Sequence, residues 1–133
     1  VIVVDASALA TFILKEPGWK VMIEYIKYCI SVDHILKEVS NAIWKAHTVR
    51  GIIDESIAKE LYNLLKLLVG INLILEPEEK YLDRAYQIAL KSGITVYDAL
   101  YIALALERKL PLLSLDNRQR NVAKLYGLTC LPL

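Results

Sequence analysis

The sequence predicts an α/β domain built on a mostly parallel sheet with helices packed on it, and three observations carry that prediction. The chain opens on VIVVD, four consecutive β-branched residues before a carboxylate. This is the unbroken apolar pattern of a strand buried on both faces, not the alternation of a half-exposed one. Short apolar runs then alternate along the chain with stretches of helical periodicity, the order that produces parallel strands joined by helical crossovers. Finally, 133 residues at 56% hydrophobic content suffice for one well-buried core and fall short of two ordinary domains. A single domain over residues 1–133 is expected.

Each element follows in order. Val1 to Val4 is the first strand, and Asp5 ends it where Ala6, Ser7, Ala8 and Leu9 begin a helical pattern. In open α/β sheets that edge is where ligands bind, although a plain N-cap role would also explain Asp5. Ala8 to Leu14 reads as a short helix broken by Pro17 and Gly18, and Trp19 to Lys27 as a second, with Val21, Met22, Tyr25 and Ile26 at helical spacing. Tyr28 to Val32 is the second strand, closed by Asp33, placed to cap a helix from His34 to Arg50. On that helix Ile35, Val39, Ala42, Ile43 and Ala46 share one face, and Glu38 falls half-buried at its border. Trp44 lies opposite, among Lys37, Ser40 and Lys45, which points to contact with another helix or another chain.

Asp54 to Val69 is the next helix, with Ile57, Leu61, Leu64, Leu65 and Leu68 as its stripe between Gly51 and Gly70. Ile71 to Leu75 is the third strand. Pro77 opens a helix reaching about Lys91, and Gly93 stops it. In GITVYDALYIALALERK, Thr95 caps a helix whose third residue is Asp98, the T-x-x-D spacing of a capping box. Pro111 to Leu115 is the fourth strand, leading into Asp116 as the first strand leads into Asp5. Asn117 to Tyr126 is the last helix and Leu128 to Leu131 a short final strand.

Composition limits the function classes. A net charge of +1 and pI near 7.9 give no global polyanion-binding signature, so cationic contacts to a nucleic acid must be local. No apolar run approaches the ~18 residues that span a bilayer, and the N-terminus lacks a basic start and cleavage site; a cytosolic protein with no membrane partner is expected. Cys29 and Cys130 stand far apart with no CxxC pattern, which argues for neither a disulfide framework nor zinc.

The acids carry the functional signal. Asp5, Glu38, Asp98 and Asp116 all fall near the edge of the sheet where strands hand over to helices. Any one of them is explicable as a cap or a solvated flank. Four converging carboxylates without matching basic residues repel one another, and a divalent cation resolves the conflict. Oxygen-only ligands suit Mg²⁺ or Mn²⁺ rather than zinc, with Mg²⁺ keeping several waters.

With these residues in view, the chain resembles a PIN domain, the metal-dependent ribonuclease family that includes the VapC toxins of toxin–antitoxin pairs. The resemblance spans essentially the whole chain and rests on VIVVDASAL, KEVSNAIWKA, ITVYDALYIALALE and LLSLDNRQRNVAK in that order. It implies a three-layer α/β/α fold with a five-stranded parallel sheet in the order 3-2-1-4-5 and VIVVD at its centre. The family's acidic quartet falls on Asp5, Glu38, Asp98 and Asp116, with Ser7 and Ser114 as supporting hydroxyls. Where family members commonly carry further acids, Asn117 and Arg118 stand here, which favours one cation over two.

The implied chemistry is hydrolysis of RNA phosphodiesters, in which a bound cation polarises a phosphoryl oxygen and acidifies a water. Asp5, Asp98 and Asp116 would hold the cation directly or through water, and Glu38 would ligate it or orient the nucleophile. Arg118, Arg120 and Lys124 are the expected phosphate contacts. A small antitoxin is the expected partner besides RNA, and exposed Trp44 with Tyr62 adds an expected homodimer or partner contact. In the implied strand order Cys29 and Cys130 lie three spacings apart, roughly 14 Å, beyond the ~7 Å Cα limit for a disulfide. Two alternatives share the sequence evidence: a PIN-domain RNA-processing nuclease without a toxin role, and a catalytically silent PIN-like binding module. A phosphatase using Asp5 as nucleophile is disfavoured, since DASA lacks the second acid of the D-x-D arrangement.

Overall fold

The computed structural model covers residues 1–133. Strands β1 (Ile2–Val4), β2 (Cys29–Val32), β3 (Leu73–Glu76), β4 (Leu112–Leu113) and β5 (Cys130–Leu131) form one sheet in the order β3-β2-β1-β4-β5. Every pairing is parallel. The strand at the centre is the one with the unbroken β-branched run, and Val3 and Val4 are wholly buried there, as a strand covered on both faces requires.

Seven helices accompany the sheet: α1 (Ala6–Leu14), α2 (Trp19–Ile26), α3 (Ile35–Thr48), α4 (Glu55–Leu68), α5 (Leu82–Ser92), α6 (Val96–Arg108) and α7 (Asn117–Leu125). A turn of 3-10 helix at Glu78–Tyr81 precedes α5. Helix α1 packs on α2, α3 and α4, whereas α6 packs on β1, β2, β4, α5 and α7. Residues Ala99 to Ala105 of α6 are all buried, so this helix is apolar nearly all round rather than striped. Its alanines at 99, 103 and 105 leave room for the elements packed around it.

Several local expectations change. Asp33 does not cap α3: His34 occupies that position without a side-chain cap bond. Asp33 Oδ1 instead accepts the Glu78 N–H at 3.2 Å, tying the end of β2 to the 3-10 turn after β3. β4 is shorter than PLLSL, because the Ser114 hydroxyl accepts the Asp116 N–H at 3.1 Å and turns the chain out of the strand. The buried side of α4 is Ala58, Leu61, Leu65 and Leu68, while Ile57 and Leu64 of the expected stripe are exposed. That helix rests mainly on α3 and α1, and a narrow contact buries a narrower stripe. Both cysteines are free and buried, and burial pushes the Cys29 thiol up to about 12. No single helix is long and apolar enough to cross a membrane.

Candidate active site

Two of the four acids are placed by strand ends. Helix α1 starts directly after β1, with Asp5 as its extended N-cap, and Asp5 Oδ1 accepts from the Ala8 N–H at 3.0 Å. The same oxygen accepts from Ser7 Oγ at 2.6 Å, and Oδ2 accepts from Gln119 Nε2 at 2.8 Å. Ser7 Oγ in turn accepts the Leu115 N–H at 2.9 Å, which stitches the end of β1 to the end of β4. Asp5 is 2% exposed. Burial pushes its carboxyl up to about 6, opposed by Ser114, Ser7 and the Ala8 N–H and reinforced by the charge of Asp98. Asp116 caps α7, its Oδ1 accepting from the N–H groups of Arg118 at 2.9 Å and Gln119 at 3.2 Å. Capping engages one oxygen and leaves the other, so a cap and a ligand are compatible roles for this residue.

The other two acids are carried by helix faces. Glu38 lies in the first turn of α3, where its Oε1 accepts from the Tyr101 hydroxyl at 2.6 Å. His34, one turn earlier, brings Nε2 to 3.0 Å from the same oxygen, at an angle outside good hydrogen-bond geometry. Its Nδ1 lies 3.6 Å from Glu78, and its ring packs on Tyr101 and Tyr97 with centroids 4.9 and 5.8 Å away. Burial works to raise the Glu38 carboxyl, but His34 and Tyr101 together hold it below the usual glutamate range. Asp98 sits where Thr95 caps α6, the threonine Oγ accepting the Asp98 N–H at 3.2 Å. Its carboxyl is raised, first by burial, then by the charges of Asp116 and Glu38, with Thr95 and His34 opposing.

Asp98 is thus the electrostatic hub of the cluster, sensing Asp116, Glu38 and Asp5. None of the four acids forms an ion pair with a Lys or Arg; His34, beside Glu38, is the one basic group within ion-pair distance of any of them. No three His, Cys, Asp or Glu side chains are placed to enclose a metal ion directly. The donors are nonetheless those of a hard cation, all of them carboxylate oxygens under mutual repulsion. A cation of the Mg²⁺ type uses one or two carboxylates and retains waters, and that mode needs no closed protein cage. The residues fit such an ion, bound in part through its waters.

Three residues here escaped the sequence reading. Tyr101 follows Asp98 by three positions, Gln119 follows Asp116 by three, and His34 precedes Glu38 by four. Helical spacing puts each on the same face as its acid, a signal that exists only once the acids are chosen. The expected phosphate contacts divide. Arg120 has a structural job instead: its Nη1 donates to the carbonyls of Ser114 at 2.9 Å and Leu131 at 2.8 Å, and its Nη2 to that of Pro132 at 2.7 Å. The Arg118 guanidinium donates to the carbonyl of Gly93, the left-handed C-cap of α5. Lys124 is exposed, its side chain in no hydrogen bond or ion pair.

Comparison with known proteins follows the same outline. The family model described as "PIN domain" matches residues 2–125. Ribonuclease VapC3 of Pyrobaculum aerophilum is 34% identical over 124 residues, an alignment covering 88% of this chain and 90% of that protein. The crystal structure of PAE2754 from Pyrobaculum aerophilum superposes with a TM-score of 0.73 at 24% identity, covering 98% of this chain and 83% of that one. That of FitAcB from Neisseria gonorrhoeae gives 0.64 at 15% identity, covering 98% and 96%. At those identities the two structures speak for the fold alone.

Proposed function

This chain belongs to the PIN-domain family, and from that premise we propose that it hydrolyses RNA phosphodiester bonds with Mg²⁺ or Mn²⁺, as the toxin of a toxin–antitoxin pair. The observation that carries the reading is the cluster around Asp98: carboxylates from four elements brought together, Asp116, Glu38 and Asp5 each coupled to Asp98, and none of them in an ion pair with a Lys or Arg. Its similarity to a protein named Ribonuclease VapC3 supports the choice of RNA and of the toxin role.

When bound, the cation supplies Lewis-acid polarisation of the phosphate and a more acidic water. Asp98 and Asp116 offer it carboxylate oxygens, and Glu38 either joins them or orients the attacking water. Asp5 sits behind them as a buried charge fixed by Ser7 and Gln119. Lys124 is the free cation on α7 for substrate phosphates. Arg118, in the first turn of the same helix, is anchored on Gly93.

Two protein partners belong to this reading, a small antitoxin and a second copy of the chain in the cytoplasm. Half-exposed Trp44 and Tyr62, with Ile43 and Ala58, line a groove between α3 and α4 that offers apolar surface for such a contact. Incubation of the purified protein with end-labelled RNA tests the activity. Cleavage is expected with Mg²⁺ or Mn²⁺ and none with EDTA. Cleavage that survives EDTA would remove the metal from the mechanism, and intact RNA under every cation would remove the ribonuclease.

A further inference from the structure

We propose that Tyr101 is the positioning residue of Glu38, engaging Oε1 so that Oε2 is the oxygen offered to a divalent cation; this rests on the metal-dependent activity proposed above. Tyr101 is wholly buried in a helix whose neighbouring buried positions are aliphatic, where a phenylalanine would pack equally well. Its hydroxyl does not bond locally. It crosses from α6 to α3 and donates at 2.6 Å to a carboxylate 63 residues away in sequence.

That single bond joins the two helices that carry the repelling acids Glu38 and Asp98. Tyr101 lies one helical turn from Asp98 on α6, so the bond fixes the distance between the acids as well as the rotamer of Glu38. A glutamate in the first turn of a helix, its side chain 33% exposed, otherwise samples several rotamers at an entropic cost to any ordered ligand. The Tyr101 ring is itself held by His34, whose centroid lies 4.9 Å away and whose Nε2 approaches the same Oε1. Two groups therefore converge on Oε1, while Oε2 accepts no hydrogen bond. Partners of this kind orient a ligating carboxylate without touching the metal.

The test is Mn²⁺ binding by calorimetry on the whole chain without RNA, comparing wild type, Tyr101→Phe, Glu38→Gln and the double variant. Tyr101→Phe should weaken Mn²⁺ binding about 10- to 100-fold, the range typical for loss of such a partner. The same change should cost nothing further in the Glu38→Gln background. Melting temperatures without metal report the fold, and Tyr101→Leu carries the same expectation should the phenylalanine variant not fold. Wild-type affinity in Tyr101→Phe, or an equal loss in both backgrounds, would overturn the proposal while leaving the metal site standing. A wild type that binds no Mn²⁺, or a Glu38→Gln variant that binds it unchanged, would instead overturn the metal reading at Glu38 and this inference with it.

Discussion

Asp5 and Glu38 are both acids of one cluster, yet they are held in opposite ways. Asp5 is almost completely buried with a donor on each oxygen, and two of its three hydrogen-bond partners, Ser7 and Ala8, lie within three residues. Glu38 is a third exposed, and its one side-chain hydrogen bond comes from a residue 63 positions away in the chain. The consequences for charge differ in sign: burial raises Asp5 to about 6, whereas His34 and Tyr101 overcome burial and lower Glu38. A carboxylate at a strand end is therefore placed by local backbone, and one on a helix face by tertiary packing. The half near β1 and β4 is closed and the half on α3 and α6 is open, with Asp98 between them feeling both.

The largest expected effect lies at that junction. Asp98→Asn should reduce Mn²⁺-dependent RNA cleavage to background and raise the melting temperature of the metal-free protein. The cap bond survives the change, because the Thr95 Oγ accepts the residue-98 backbone N–H, which asparagine keeps. What is removed is a charge disfavoured by burial, Asp116 and Glu38, so folding gains while cation binding loses. If Asp98 were a cap alone, stability would not rise and cleavage would persist. A destabilised variant that still cuts RNA would break the picture of two halves meeting at this residue.

The closed half makes its own pH prediction. Asp5 is raised from 3.8 to about 6 on folding, so the folded state binds the proton more tightly than the unfolded chain. The stabilisation is complete below pH 4 and is lost as pH rises through 6, amounting to about 3 kcal/mol over that window. Metal-free protein should therefore gain stability from this group between pH 7 and pH 4.5, and Asp5→Asn should flatten that part of the profile. Glu38 runs the other way: its lowered carboxyl stabilises the fold above the unfolded glutamate range, and that contribution fades as acid protonates it. Denaturant melts of Asp5→Asn and Glu38→Gln across this range measure both slopes. Equal slopes would erase the contrast.

A smaller effect separates structure from substrate contact on α7. Arg120→Ala frees three carbonyls at the ends of β4 and β5 and should cost about 2 to 3 kcal/mol, read by urea melts. Lys124→Ala should leave stability within about 0.5 kcal/mol and reduce the salt dependence of RNA binding by about one counterion. If Arg120→Ala were the variant that changed the salt slope, the guanidinium would belong to the substrate after all.

How much of this was legible in the chain follows from the same contrast. The strand order and the central place of VIVVD come from the family resemblance, and the candidate caps at Asp5, Thr95 and Asp116 from local pattern; the structure carries each of them. Asp33 misled, because a backbone N–H 45 residues away competed for its carboxylate. Arg120 misled in the same way: a basic residue beside an acidic site reads as a phosphate contact until three carbonyls claim it. Tyr101 and Gln119 were invisible as partners, since nothing in an apolar helix or a basic one marks which polar atom will reach across the fold.

Gln119 gives the finest test of the closed half. Its backbone N–H bonds Asp116 Oδ1 at 3.2 Å and its side-chain Nε2 bonds Asp5 Oδ2 at 2.8 Å, so one residue couples the two strand-end acids. Its side chain is 1% exposed, and its Oε1 has no hydrogen-bond partner. Gln119→Met keeps the length and removes both the donor to Asp5 and the orphaned acceptor. Losing a donor to a buried carboxylate costs about 1.5 to 3 kcal/mol, and deleting an unsatisfied oxygen returns about 1 to 3, so the net change at pH 7 should stay near 1 kcal/mol. The pH profile should move more than the midpoint: with Oδ2 undonated, Asp5 should bind its proton at a still higher pH, and the loss of stability on raising pH should run on to a higher pH. Urea melts of Gln119→Met at pH 5, 6 and 7 measure this. A profile superimposable on wild type would mean that Asp5 is held by Ser7 and the Ala8 N–H alone, and that the closed half needs no contribution from α7.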